Sequence, residues 1–185
     1  MYESLKYKLF KRFSLTFWAV AFLSLSLAQT DIFELNKALA KTINFGNAME
    51  TRVEGSSGVY LLESDFDVVK EAGFTAVRLP VKFSAHAAKT APFTIKERLF
   101  KRVDWAVEEA LKRDLAIIID LHHFEAIMRA PEDSRDMLLG MWRQIAERYK
   151  DAPETVMFEI LNEPNGDITP HWNSFLVDAL AVIRE

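Results

Sequence analysis

Residues 156–165 read Val-Met-Phe-Glu-Ile-Leu-Asn-Glu-Pro-Asn, and this stretch guides the interpretation of the whole chain. Its first six residues are mostly apolar, which predicts a buried strand. Asn162 and Glu163 follow at the end of that strand, and Pro164 closes it. Because a buried carboxylate is costly unless it is paired or has a chemical task, Glu163 is a candidate catalytic acid/base.

The composition of the 185 residues excludes several classes of function. With 50% hydrophobic and 27% charged residues, the chain is typical of a globular domain. A net charge of −4 and the lack of a Lys/Arg-rich face argue against nucleic acid as a partner. The absence of cysteine excludes disulfides and thiolate catalysis. The four histidines show no metal-binding spacing, so we expect neither a metal nor a cofactor.

Residues 1–28 have the pattern of a secretory signal peptide. Three lysines and an arginine precede an uncharged run over 13–27, and the small residues Ser26 and Ala28 mark a cleavage site before Gln29. The apolar run is shorter than the ~20 residues that span a bilayer. We therefore expect export to the periplasm or the medium, with no stable membrane span after cleavage; an uncleaved anchor is the alternative.

Residues 29–185 alternate between predicted strands and predicted helices. Strands are predicted at 41–45, 75–81, 115–121 and 156–161. Helices are predicted near 64–73, 95–113, 133–150 and 170–184, from apolar residues at helical spacing. The third strand is almost continuously apolar, as expected for a strand covered on both faces. Four consecutive strand–helix units predict a parallel α/β sheet with right-handed crossovers.

Polar residues follow the ends of all four predicted strands. They are Asn47 and Glu50, then Arg78, then His122 and His123, and finally Asn162 and Glu163. The active site of parallel α/β folds lies at this edge, and contributions from successive strands favour a TIM (β/α)8 barrel. A doubly wound nucleotide-binding sheet would need a glycine-rich phosphate loop after its first strand, which residues 46–50 do not provide.

The side chains at these strand ends have suitable chemistry for a site. Neighbouring side chains on a regular strand point to opposite faces, so Asn162 and Glu163 can act together only if the strand ends or bulges there. Arg78 carries a permanent charge that can hold a nearby carboxylate ionised. His122 and His123 can form hydrogen bonds or orient an acid. Candidates for a stacking surface are Trp172 and, more weakly, Trp142 and Phe124.

The length corresponds to half of a barrel. Without its first 28 residues the 185-residue chain has 157 residues, whereas a TIM barrel takes ~250. The fourth predicted helix ends with the last residues of the chain. We therefore expect residues 29–185 to be the N-terminal half of a longer catalytic domain, truncated after its first four β/α units.

Four segments of the chain resemble glycoside hydrolase family 5, and more narrowly its secreted bacterial endo-β-1,4-glucanases (cellulases), including members that also cut mannan. The likeness runs in order from about Thr42 to the last residue. It is carried by residues 43–50, 72–81, 118–124 and 158–164, and it ends on Leu161-Asn162-Glu163-Pro164. The resemblance implies a retaining hydrolase of β-1,4-linked polysaccharide.

The resemblance also implies a role for each strand-end residue. Glu163 corresponds to the general acid/base, and Asn162 to the residue that binds the 2-hydroxyl of the sugar at the −1 subsite. Arg78 corresponds to the arginine that supports the nucleophile. Sugar-binding positions correspond to His122 and His123, and to Asn47 and Glu50 towards the non-reducing end. In the family the nucleophile follows the seventh strand, so we expect it to be missing from these 185 residues and the isolated chain to be inactive.

Simpler structural roles compete with these assignments. We interpret Glu159 and Asp120 as buried supporting acids, not as catalytic groups. Glu50 can instead be a solvated loop residue. A second hypothesis for the whole chain is an inactive half barrel that binds carbohydrate or assembles with another half. Its open first and fourth strands and an uncovered apolar interior would favour such self-association.

Overall fold

The computed structural model describes residues 31–185. The predicted signal peptide at 1–28 lies outside the described residues, so its cleavage stays a prediction. In the described range, none of the helices combines the length and the apolar character that crossing a membrane requires.

Four parallel strands alternate with helices along the described chain. The strands are β1 (Thr42–Asn44), β2 (Ala76–Val81), β3 (Ala116–Leu121) and β4 (Val156–Glu159). The helices are α1 (Ile32–Ala38), α2 (Glu63–Glu71), α3 (Phe83–His86), α4 (Glu97–Leu111), α5 (Pro131–Tyr149) and α6 (Trp172–Ile183), with a 3-10 helix (Gly166–His171) before α6. The sheet order β1-β2-β3-β4, all parallel, confirms the four predicted β/α units.

The predicted element boundaries differ from the structure in a few places. Helix α2 begins at Glu63, because the Asp65 side chain accepts a hydrogen bond from the Leu62 backbone N–H at 2.8 Å and so stabilises the first turn from inside. Helix α5 begins at Pro131, which suits a first turn because proline has no N–H to leave unpaired. Helices α1 and α3, with seven and four residues, are too short to show a helical period and were not predicted.

The two faces of the sheet differ in character. Val77, Leu79, Ile117 and Ile119 are fully buried and belong to the core formed with the helices. The residues between them point to the other face because side chains alternate along a strand. That second face carries apolar and polar side chains together, namely Thr42, Asn44, Ala76, Arg78, Pro80, Ala116, Ile118, Asp120, Met157 and Glu159. In the described chain this face is therefore only partly apolar, with its charged residues Arg78, Asp120 and Glu159 towards the C-terminal edge of the sheet.

The core also supports the end of β4. Trp142 on α5 is completely buried, and its indole N–H donates to the Ile160 carbonyl at 3.0 Å. Its ring lies 5.5 Å from that of Phe158 on β4. Trp142 thus fixes the backbone just before Asn162, and its burial excludes the stacking role considered for it.

Candidate active site

Arg78 on β2 connects all four strands at their C-terminal edge. Its Nε and Nη2 donate to the two carboxylate oxygens of Glu159, both at 2.7 Å. Nη1 donates to Asn44 Oδ1 at 2.9 Å, and Nη2 donates to Asn162 Oδ1 at 2.8 Å. Nη2 also lies 2.9 Å from Asp120 Oδ2. The hydrogen bonds with Glu159 raise the pKa of Arg78, so the guanidinium is a permanent charge at this edge.

Asp120 and His122 form a second pair beside Arg78. The Asp120 side chain is completely buried, and its Oδ2 forms a short hydrogen bond with His122 Nδ1. Burial and the charge of Glu159 together raise the pKa of Asp120 from 3.8 to about 7, against the opposing charge of Arg78. Burial and the nearby Arg78 lower the pKa of His122, which favours a neutral ring. Asp120 is therefore a supporting group that orients His122, as the sequence indicated.

The chain turns sharply where β3 and β4 end. His123 and Glu163 have φ angles of 52° and 42°, in the left-handed region that non-glycine residues rarely adopt. Strand β4 ends at Glu159, two residues earlier than predicted, although the Asn162 N–H still donates to the Leu121 carbonyl at 3.1 Å. The strand therefore ends before Asn162 and Glu163, which meets the condition for both side chains to serve one site.

A cleft of about 530 Å³ lies between the loops that follow β3 and β4. Three of the predicted site residues line it, namely His123, Asn162 and Glu163. Arg78 and His122 do not line it, but Arg78 binds Asn162, the His122 ring lies 4.4 Å from that of His123, and the charge of the exposed Glu163 raises the pKa of both. The structure thus brings the predicted acid/base and its neighbours together.

The loop after β4 is held against the loop after β3 by Met128. The Asp167 N–H donates to the Met128 carbonyl at 2.9 Å, and the Asn165 side chain donates to the Glu163 carbonyl at 2.7 Å. Gly166 has a φ of 67°, and a Cβ at this position would lie 2.6 Å from the Met128 carbonyl oxygen. Only glycine fits there, so the Asn-Gly dipeptide was the sequence signal for this wall of the cleft.

Glu50 and Asn47 lie on the loop after β1. Glu50 is 9% exposed, so its alternative as a solvated loop residue is wrong. One of its carboxylate oxygens accepts from the Asn47 backbone N–H, whereas Oε2 is buried without a partner among residues 31–185. The charge of Glu50 raises the pKa of Asp120, which places this loop near the Arg78 group. An unpaired buried oxygen beside a site suits a substrate hydroxyl.

The two remaining aromatic candidates for stacking on a sugar lie at different distances from the cleft lining. Phe124 is 3% exposed, so it offers little surface for stacking although it contributes to the cleft wall. Trp172 begins α6, is half-buried against the core and does not belong to the described lining of the cleft. Stacking by Trp172 therefore stays a prediction.

Several site residues were missed by the sequence interpretation. Asn44 binds Arg78, and Arg129, Asn165 and Asp167 line the cleft. Asn44 ends β1 in register with Arg78, so a strand pairing would have shown it. In residues 31–185, no group of three or more His, Asp or Glu side chains is arranged to hold a metal ion.

Asp120→Asn tests the protonation of this buried acid. Asp120 has a pKa of about 7 when folded and 3.8 as a free side chain, so its stabilising effect is complete below pH 4 and is lost as the pH rises to 7. An asparagine at this position would not titrate, so the free energy of unfolding of Asp120→Asn minus that of the unchanged protein should increase as the pH rises from 4 to 7. The increase should be up to about 4 kcal/mol, at ~1.4 kcal/mol per pKa unit. Urea unfolding at several pH values measures this difference.

The exposed Asp151→Asn serves as the control, since it makes the same chemical change at a carboxylate outside the site. A difference for Asp120→Asn that stayed constant between pH 4 and 8 would contradict the raised pKa.

Known proteins are similar to this chain in sequence and in fold. The family Cellulase (glycosyl hydrolase family 5) matches residues 39–185, which include all four strands. Endoglucanase H of Acetivibrio thermocellus is 37% identical over 139 residues, covering 75% of this chain and 15% of that protein. The xyloglucan-specific endo-beta-1,4-glucanase BoGH5A of Bacteroides ovatus is 30% identical over 152 residues, covering 72% of this chain and 30% of that protein.

Solved structures of endoglucanases are similar to this chain as well. The crystal structure of endoglucanase Cel5A from Thermotoga maritima superposes with a TM-score of 0.81 at 52% sequence identity, over 83% of this chain and 50% of that one. This chain therefore spans about half the length of that structure and 15% to 30% of the two curated relatives above. With its parallel β/α units, its strand-end residues and a family match over 39–185, the chain belongs to glycoside hydrolase family 5.

Proposed function

We propose that this chain supplies the acid/base half of a retaining endo-β-1,4-glucanase site, with the nucleophile contributed by sequence outside these 185 residues. The observation that carries the proposal is the Arg78 group, which holds Asn162 through a 2.8 Å hydrogen bond beside Glu163 at the cleft. Membership of the family supports cellulose or a related β-glucan as the substrate.

The hydrogen bonds already made at the site leave donors available for a sugar. Because Asn162 Oδ1 accepts from Arg78, its amide NH2 group remains to donate to a substrate hydroxyl. Because His122 Nδ1 pairs with Asp120, Nε2 is the nitrogen left for the substrate. We propose these two contacts at the −1 subsite, with Asn47, Glu50 and His123 binding sugar around it.

The proposed reaction divides the work between two carboxyl groups. Glu163 protonates the glycosidic oxygen as the bond to the anomeric carbon breaks, while the nucleophile attacks that carbon from the opposite face. Glu163 then takes a proton from the water that releases the sugar. Retention requires the two carboxyl groups to be ~5–5.5 Å apart, which the exposed position of Glu163 at an open cleft permits.

The names of the related proteins guide the choice of substrate among similar glycans. Endoglucanase H and BoGH5A are named as an endoglucanase and as a xyloglucan-specific enzyme, and Thermotoga maritima Cel5A has been solved with cellobiose and with mannotriose. We propose β-1,4-glucan as the main substrate of this chain's parent enzyme and mannan as a second one.

Glu163→Gln in the full-length enzyme tests the acid/base. The rate on carboxymethylcellulose should fall by ~10²–10⁴-fold, since the leaving group can no longer be protonated. An aryl cellobioside, whose leaving group needs no proton, should keep a larger share of its rate for the bond-breaking step. The matched control is Glu154→Gln, an exposed residue before β4, which should keep normal rates. Normal hydrolysis of carboxymethylcellulose by Glu163→Gln would refute the assignment.

We also propose that the protein is exported through its N-terminal segment. The basic cluster, the apolar run and the small residues before Gln29 support this. Expression in a bacterial host should give a periplasmic or extracellular product whose first residue, by N-terminal sequencing, is Gln29. An intact Met1 on a membrane-bound product would instead indicate an uncleaved anchor.

We propose, third, that segment 29–185 alone associates with itself and does not hydrolyse glycan. Strands β1 and β4 each have only one neighbour in the described sheet, and free strand edges pair readily with other strands. Light scattering on the purified segment should show dimers or larger species, and assays on carboxymethylcellulose should show no hydrolysis. A monodisperse monomer would contradict the association, and measurable hydrolysis would contradict the missing nucleophile.

A further inference from the structure

A second cavity of about 320 Å³ lies between the loop after β1 and the N-terminal end of α4. Its polar wall is formed by Arg52, Glu54 and Tyr60 from the loop, His86 from α3, and Arg98 and Arg102 from α4. None of these residues lines the cleft that holds Glu163. The cavity therefore has its own set of side chains.

One side of this cavity is a rigid structural wall. Arg102 donates from Nε and Nη2 to the two oxygens of Glu54, both at 2.8 Å. Its guanidinium stacks on Trp105 at 3.8 Å and on Tyr60 at 4.7 Å. These contacts neutralise Arg102 and fix the Tyr60 ring at the cavity, with 55% of Tyr60 exposed.

The other side carries positive charge without a counter-ion. Arg52 and Arg98 are exposed, and neither guanidinium group forms a hydrogen bond or ion pair with another residue in 31–185. Arg98 lies in the first turn of α4, whose N-cap residue Lys96 provides no side-chain hydrogen bond to the helix end. Glu97 in the same turn is paired with Arg148 at 3.0 Å, so the positive end of the helix dipole adds to the two guanidinium groups.

His86 adds an unused polar atom at the same place. The residue is 8% exposed, and its Nδ1 has no hydrogen-bond partner among the described residues. Burial and the charges of Arg98, Lys96 and Arg52 lower the pKa of His86, whereas a hydrogen bond with the Arg52 backbone opposes them, and the lowered pKa favours a neutral ring. A buried nitrogen without a partner is rare, and it suits a hydroxyl group that donates a hydrogen bond.

The two cavities have opposite charge. The described lining of the cleft has three acids, Glu125, Glu163 and Asp167, and one permanent cation, Arg129. Glu125 is paired with Lys82 at 2.6 Å, so Glu163 and Asp167 are the acids that disfavour anionic groups there. The second cavity has two uncompensated arginines. An acidic substituent of a glycan would therefore be excluded from the cleft and attracted to the second cavity.

We propose that this second cavity binds a carboxylate-bearing sugar, such as a uronic acid unit, with Arg52 and Arg98 holding the carboxylate and Tyr60 and His86 contacting the sugar. Arginine forks match a carboxylate with paired, charge-assisted hydrogen bonds. The positive charge alone supports a carboxylate site; the choice of a sugar as its carrier rests on the proposed glycanase function.

Calorimetric titration of the full-length enzyme with methyl β-D-glucuronoside at low ionic strength tests this site. Methyl β-D-glucoside, acetate and inorganic phosphate are the comparison ligands. The glucuronoside should bind at least about tenfold more tightly than each of them, and the affinity should fall as salt is added. Binding of acetate or phosphate as tight as that of the glucuronoside would overturn the sugar site in favour of a general anion site.

Arg52→Gln/Arg98→Gln should weaken glucuronoside binding by at least about tenfold, because two charge-assisted contacts are lost. Both residues are exposed, so the fold should be retained, and Arg184→Gln at the end of α6 is the matched control. Unchanged glucuronoside binding in the double variant would overturn the proposal. Glu163→Gln should bind the glucuronoside normally, so a failure of the glycanase assignment would be seen separately from a failure of this site.

Discussion

The guanidinium group of Arg78 is the interaction on which the site depends. It is the only group of the described chain shown to contact side chains from β1, β3, β4 and the segment after β4, through Asn44, Asp120, Glu159 and Asn162. Removing this charge would leave two carboxylates close together without their counter-ion, which is costly in a partly buried place. The open face of the sheet is therefore organised by one cation, in contrast to the apolar face beneath the helices.

This single cation also explains how the nearby acids differ. Both carboxylate oxygens of Glu159 accept from Arg78, whereas the fully buried Asp120 contacts Arg78 and His122 through Oδ2 alone and its Oδ1 has no partner among residues 31–185. Burial together with the charge of Glu159 then favours the protonated form of Asp120 up to about pH 7. The orientation of His122, and with it the proposed −1 subsite, is thereby linked to pH in the neutral range.

Much of the fold follows from local patterns, whereas several features of the site do not. Strands β2 and β3 were predicted from short apolar runs, and helices α4 and α5 from apolar residues that recur at helical spacing over 15 and 19 residues. The burial of Glu50 and the loss of Trp142 as a stacking surface were not, because both depend on residues far away in the chain. Glu159 and Arg78 are 81 positions apart, so no local pattern shows that they pair.

The sequence alone predicts the order of the four strand–helix units and the polar residues at the strand ends. Both predictions rest on local properties, namely the period of apolar residues and the position of turn residues. The partners of Arg78, the left-handed turn at Glu163 and the pinning of the loop by Gly166 arise only when the strands are in register. The same holds for the arginine-lined cavity, since Arg52 and Arg98 meet only where the loop after β1 packs against α4. The charge and shape of a site depend on all the residues that surround it in space, and those residues come from distant parts of the chain.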